Sequence, residues 1–507
     1  MAMEHLDVLV VGAGLSGIGA GYHLQKHCPG RSFAILEGRD RSGGTWDLFR
    51  YPGIRSDSDM YTLGYSFRPW EDAKAIADGP AILQYVRDTA RVCGIDRMIR
   101  YGHAVKRASW STSQARWTVE VEHGEAKEIV RLSCNFLFMC SGYYRYDEGY
   151  TPAFAGTERF GGCIVHPQQW SDDIDVAGKR VVVIGSGATA ITLVPELAKQ
   201  AAHVVMLQRS PTYVVSAPAR DPLAALLRGK VSPRLAYDLT RWKNVLVGAL
   251  FFQLARRAPR VARERLIQGV REALGTSVDV DRHFTPRYGV WDQRVCLVPD
   301  GDLFDVLRSG RAEVVTDHIQ RIGEQGVVLQ SGRELPADII VKATGLELEL
   351  VGGCELQVDG RSFDFSQSVN YKGCMFSGLP NFAYTFGYTN ASWTLKADLV
   401  AEFVCRLLNR MQAQAADSCM PREPDPGMRR DPFIDFSSGY VQRGLARFPR
   451  QGAGRPYRLY QNYLRDLLLL RHGRIEDGVL ELRARPGVAP VAQVSHPEQP
   501  EPPAARA

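Results

Sequence analysis

The sequence predicts an α/β chain in which one strand–helix–strand unit occurs twice, with a helical insertion in its second half. Three observations predict it. The apolar run Leu6–Val11 leads into Gly12-x-Gly14-x-x-Gly17 and then into helix-periodic residues 15–26. The same order returns at Lys179–Ile184, Gly185-x-Gly187-x-x-Ala190 and residues 188–199. Residues 222–275 are rich in Arg, Leu and Ala and keep helical periodicity.

Composition bounds the rest. A chain of 507 residues has room for about three domains. Hydrophobic residues make up 45% and charged residues 23%, as in ordinary globular proteins. The formal charge of +6 is small for this length and implies no nucleic-acid partner. Mean hydropathy is −0.20, and no apolar run reaches the roughly 18 residues of a spanning helix. Leu6–Val11 follows Glu4, contains Asp7 and runs into turn glycines, so it reads as a buried strand rather than a signal peptide. The ten cysteines include no C-x-x-C pair and no Cys/His cluster at metal spacing. Reduced thiols in a cytoplasmic protein are expected. A flavin disulfide reductase, which needs a redox cysteine pair, is disfavoured.

The elements follow in order. Strand 6–11 brings the chain to Gly12, whose freedom permits a tight turn. Gly14 lets a diphosphate approach the backbone, and Gly17 lets the helix pack on the strand. The free N–H groups and dipole at the helix start favour an anion there, with Ser16 as an added donor. Phe33–Glu37 is the next strand, and Glu37 at its end can accept both hydroxyls of an adenosine ribose. Gly43-Gly44-Thr45-Trp46-Asp47-Leu48 follows. Its glycines let backbone pass a ligand and Trp46 offers a flat wall; Arg55, Asp57 and Asp59 add polar density.

In the second unit no acid ends the strand Val204–Leu207; the chain reads Gln208-Arg209-Ser210. A guanidinium pairs with a 2′-phosphate that a carboxylate would repel. This site is expected to prefer NADPH, with Gly185, Ser186, Gly187, Thr189, Ala190, Arg209 and Ser210 as its candidate residues. Two dinucleotide sites in one chain imply hydride transfer from nicotinamide to a flavin. Phe138–Gly142 and Val341–Gly345 look like matching strand ends near the two cofactors. The helical segment has two readings: an insertion packed on the core with a solvated basic face, which is the plainer one, or an amphipathic helix on a membrane surface. The Pro- and Ala-rich tail 486–507 is expected to be disordered.

Between the two glycine motifs stands Phe160-x-Gly162-x-x-x-His166-x-x-x-Trp170. This pattern, with Gly43–Asp47, Tyr51–Tyr61, Trp291–Asp302 and Gly387–Asp398, resembles the type I Baeyer–Villiger flavin monooxygenases up to about residue 485. Within them it looks most like the ethionamide-activating subgroup of mycobacteria. The resemblance implies FAD and NADPH as cofactors. It implies a C4a-peroxyflavin, formed with O2, that converts small ketones to esters and S-oxidises sulfides or thioamides. Arg294 matches the catalytic arginine and Asp57 the carboxylate paired with it. Val105 matches a position whose backbone meets the flavin's adenine, and Asn390 is expected near the isoalloxazine. His166 and Trp170 are read as structural or motion-coupling residues of a linker. Gln293 departs from the family's usual Lys, which shifts phosphate recognition toward Arg209. The resemblance implies an FAD domain of 1–150 and 371–485, an NADPH domain of 151–221 and 284–370, and a helical insertion of 222–283. A flavin monooxygenase acting mainly on sulfur or nitrogen is the alternative. Arg294 is the feature that separates the two.

Overall fold

The structure, a computed structural model, describes residues 3–484; the tail expected to be disordered lies outside the described residues. Strand Glu4–Val11 is apolar on both faces, so both faces must be covered. Val8 and Val10 pack with Ile18 of helix Leu15–His27 and with Leu399 and Phe403 of helix Trp393–Ala413. Leu9 and Val11 pack on the opposite side with Trp117 and Leu137. The strand pairs in parallel with Phe33–Leu36 and with Glu128–Met139. The long strand Glu128–Met139 changes partners along its length. Its first half pairs antiparallel with Arg116–His123 and its second half parallel with Phe382–Tyr384.

The second sheet is parallel and runs Ala312–Thr316, His203–Gln208, Arg180–Ile184, Ile339–Lys342, Cys163–Val165. Its central strand again faces two cores. Val181 and Val183 contribute to one, Val182 and Ile184 to the other. Helix Ala188–Leu197 follows the second glycine loop. Residues 355–362 were expected with this second unit. Strand Glu355–Val358 instead pairs with His103–Ser111 of the first sheet, placing Leu356 in the core beside Trp110.

The insertion is helical at Pro222–Leu227, Pro233–Arg257, Pro259–Leu274 and Val280–His283. Asp221 and Ser232 cap the first two, each followed by a proline whose missing N–H costs nothing there. Among the described residues no helix is long and apolar enough to cross a membrane.

Candidate active site

The first glycine loop and the start of the helix that follows the second one open onto one cavity of about 540 Å³, while Gly185, Ser186, Gly187, Arg209 and Ser210 lie outside its lining. Gly12, Gly14, Ser16 and Glu37 line it from one side, and Ala188, Thr189 and Thr192 from the other. Two glycines of the first loop, Gly12 and Gly17, admit no side chain. Gly12 has φ +102°, and a Cβ there would stand 2.7 Å from the Cys140 carbonyl oxygen. A Cβ on Gly17 would stand 1.8 Å from the Gly12 oxygen. Gly14 precedes helix Leu15–His27 without a side-chain cap, so the first N–H groups remain for an anion. Glu37 accepts hydrogen bonds from the backbone N–H of Ala13 at 2.8 Å and of Arg39 at 3.0 Å. Burial pushes its carboxyl group upward, opposed by those N–H groups and the Arg39 charge.

These residues fit a flavin dinucleotide. The Ser141 hydroxyl lines the cavity, is buried, and has no partner among the described residues; a buried polar atom of that kind calls for a ligand or solvent. Trp393 stacks on Tyr143 at 5.2 Å and 9°, making a flat wall. Its indole N–H donates to the Ser16 hydroxyl at 2.8 Å, which leaves the Ser16 proton for a ligand. Trp46, Thr45 and Val105 complete that side.

Arg294 meets Asp57 at 3.2 Å. Their side chains are 35% and 29% exposed, and both line the cavity. Asp57 holds the guanidinium well above its ordinary pKa against the cost of burial, and Tyr143, Tyr440 and Tyr144 raise it further. The cation therefore persists at every working pH. The loop before it is braced. Trp291 sits at φ +71°, a conformation that costs about 1–3 kcal/mol for a non-glycine residue. Phe252 meets its ring edge at 5.6 Å, while Asp292 accepts from the Gly289 N–H at 2.8 Å and pairs with Arg256 at 3.0 Å. Asp57 is not a helix cap; Asp59 takes that role, accepting from the Thr62 N–H.

The second loop repeats the first. Gly185 has φ +140°, and a Cβ there would stand 2.3 Å from the Ala343 oxygen, as Gly12 stands over Cys140. Gly187 has open space around it, and Ala190 is buried in the helix packing. Leu207 pairs with Ile184 as Leu36 pairs with Val11, so Gln208 occupies the position of Glu37. Its amide donates to the His283 oxygen at 2.7 Å and to Thr316 at 2.9 Å. Arg209 is exposed and has no carboxylate partner among the described residues. Ser186 donates to the Ser210 oxygen at 3.0 Å. The Tyr51 side chain links the halves through Thr189; burial raises its phenol to about 12.

Several residues singled out from the sequence are engaged by other protein groups. Asp47 is 2% exposed and is taken up by Arg39 at 2.6 Å, Arg87 at 2.7 Å and Arg50 at 3.6 Å. Leu48 is absent from the lining. Arg55 lines the cavity, but its guanidinium is held by Asp302. Asn390 turns its amide to the Gln461 oxygen at 2.9 Å, and Ala391 and Trp393 face the cavity instead. His166 bonds the Gly345 oxygen at 3.2 Å, and burial lowers its pKa. Sequence reasoning missed Tyr143 and Tyr144, whose hydroxyls share a 2.7 Å hydrogen bond beside Arg294. Burial pushes both phenols up, so both remain donors. Their signal was their place directly after the strand end Phe138–Gly142.

Known proteins share this sequence and this fold. Residues 64–233 match the flavin-binding monooxygenase-like family, and residues 10–78 match an NAD(P)-binding Rossmann-like domain. The FAD-containing monooxygenase EthA of Mycobacterium tuberculosis strain H37Rv is 55% identical over 490 residues, spanning 96% of this chain and 99% of its own. The fold is shared with an oxidized steroid monooxygenase bound to NADP, at TM-score 0.74 and 23% identity over 95% of this chain and all of the other. It is shared with a cyclohexanone monooxygenase bound to ε-caprolactone, at TM-score 0.72 and 20% identity over 95% of this chain and all of the other. The chain belongs to the FAD-containing monooxygenases that include EthA, flavoenzymes of the Baeyer–Villiger fold.

Proposed function

We propose that this monooxygenase consumes NADPH and O2 to convert ketones to esters, with S-oxidation of sulfides or thioamides as a second activity, in the cytoplasm. The observation that carries the reading is a permanently charged Arg294 in the cavity lined by the first glycine loop and by the helix that follows the second. Bound FAD supplies two-electron chemistry with O2, and NADPH supplies the hydride. The first glycine loop and Glu37 would hold FAD, and Gly185–Ala190 with Arg209 would hold NADPH. A residue range of 1–150 and 371–485 for the FAD domain fits this division, with the NADPH domain at 151–221 and 284–370 apart from strand Glu355–Val358.

The chain's own groups meet the demands of ketone oxidation. Attack on a carbonyl needs an anionic nucleophile and moves negative charge onto the substrate oxygen. A fixed guanidinium stabilises both without reorganisation. Asp57 compensates the partly buried charge and orients it. Tyr143 and Tyr144, protonated at working pH, offer a hydroxyl beside Arg294. The stacked rings of Trp393 and Tyr143 present an apolar wall on that side.

The test incubates the FAD-loaded enzyme with NADPH, air, a methyl ketone and an aryl sulfide. Products are read by mass spectrometry. Ester from the ketone, lost in Arg294→Ala while NADPH oxidation continues, is the expected result. Undiminished ester in that variant overturns the role of Arg294. Sulfoxide with no ester from any ketone moves the enzyme to sulfur or nitrogen oxidation.

A further inference from the structure

Helix Pro233–Arg257 is pinned by one face. Tyr237, Thr240, Arg241, Val245 and Ala255 are buried. Arg241 donates to the Tyr61 oxygen at 2.7 Å and the Gly64 oxygen at 2.8 Å, and Asn244 donates to Asp59 at 2.8 Å. The rotation of the helix is thereby fixed, and so is what it turns outward. Leu235, Leu239, Trp242, Leu246, Leu250 and Leu254 recur every three or four residues, forming one stripe. All six are exposed, Leu246 to 52%, Leu250 to 60% and Leu254 to 54%. The stripe widens where Trp242 meets Tyr463 at 6.1 Å, since the neighbouring Leu464 and Leu468 are also exposed.

The charge around this stripe is predominantly positive. Residues 226–265 hold ten basic side chains against two acidic ones, while the whole chain carries only +6. Arg228 and Lys230 precede the helix, and Arg257 and Arg260 close its far end; all four are exposed. Arg257 continues the stripe itself, seven residues after Leu250. An exposed apolar stripe flanked by arginines at both ends is the pattern that lies in the plane of an anionic bilayer. The helix does not qualify as a spanning one.

We infer that this stripe docks the enzyme onto membranes carrying anionic lipid headgroups, with helix Pro233–Arg257 lying flat in the interface. Its inner face bears on the cavity: Val245 packs with Tyr388, which lines it, and Phe252 with Trp291 of the Arg294 loop. Resting on the monooxygenase reading, this placement favours apolar substrates that partition into lipid.

The test floats full-length, FAD-loaded protein with phosphatidylcholine vesicles, with and without phosphatidylglycerol, in the absence of substrate. Binding to the anionic vesicles is expected, weakened at least about tenfold by Leu246→Glu with Leu250→Glu and lowered by added salt. Arg257→Glu with Arg260→Glu should weaken it as well. Unchanged flavin absorbance and NADPH oxidation show that the variants are folded. The proposal is overturned if the protein stays off anionic vesicles at low salt, or if the leucine variant binds them equally. It is also overturned if light scattering shows a dimer that the leucine variant dissolves, which makes the stripe an interface between copies. Failure to bind vesicles leaves ketone turnover, and with it the reading of the cavity, untouched.

Discussion

If Asp57 works only by holding Arg294, removing it should cost nothing once Arg294 is gone. The two groups stand 3.2 Å apart. Coulomb's law gives about 5 kcal/mol of gross attraction at that distance with an effective dielectric of 20. Each side chain is roughly one-third open to the cavity, and solvent screening reduces this to about 1–2 kcal/mol of net positioning. Asp57→Asn should therefore lower kcat/KM for a ketone roughly 5- to 30-fold. Arg294→Met removes the cation itself and should cost about 2.7–4 kcal/mol, or 100- to 1000-fold. The double variant should match Arg294→Met, giving a coupling energy close to the whole effect of Asp57→Asn. Stopped-flow flavin reduction by NADPH, run in parallel, separates this from damage to hydride transfer. Effects that add within about 0.5 kcal/mol would refute the linkage and give Asp57 a role of its own.

Other perturbations probe the loops. Glu37→Gln should loosen FAD about tenfold, read as flavin fluorescence released on dilution. Because burial raises the Glu37 carboxyl, its protonated, weaker-accepting form appears at a pH above the ordinary glutamate range. Wild-type FAD retention should thus fall as pH drops toward that range, and Glu37→Gln should flatten the profile. Gly17→Ala puts a methyl 1.8 Å from the Gly12 oxygen; loss of bound flavin and a lowered Tm by circular dichroism are expected, and normal flavin content would contradict the packing argument. Arg209→Ala should raise KM for NADPH about 10- to 100-fold while leaving NADH kinetics unchanged, since only the 2′-phosphate is at stake.

The parts of this molecule set by local pattern were legible in its sequence. Each nucleotide loop follows from a strand, three small residues and a helix, because backbone approach forces the residue types. The same holds for Glu37 and for the absence of an acid before Arg209. For Asp47 and Leu48, position beside a glycine pair does not reveal which way the side chain points. Asp47 faces away, where Arg39, Arg87 and Arg50 gather around it. Tyr143 and Tyr144 were missed because their approach to Arg294 joins segments 150 residues apart in sequence, and no short-range periodicity encodes that. The pairing of strand Glu355–Val358 was not legible for a related reason. Its partner is chosen by the core around Trp110, not by its neighbours in sequence. The helical insertion read most plainly as packed on the core with a basic outer face, since composition cannot say which side of a helix is covered. The bonds of Arg241 decide that, and they turn the leucines outward.

The amide of Gln208 carries a consequence for engineering. Changing coenzyme choice in a Rossmann unit ordinarily means installing an acid at this position. Here the side chain is already committed as a donor to the carbonyl of His283, the last residue of the helical insertion. A carboxylate in its place would bring two acceptors face to face and release the strut that ties the insertion to the sheet. A designer seeking an NADH-driven version would have to rebuild the His283 turn first, so coenzyme preference and the anchoring of the insertion are inherited as one trait.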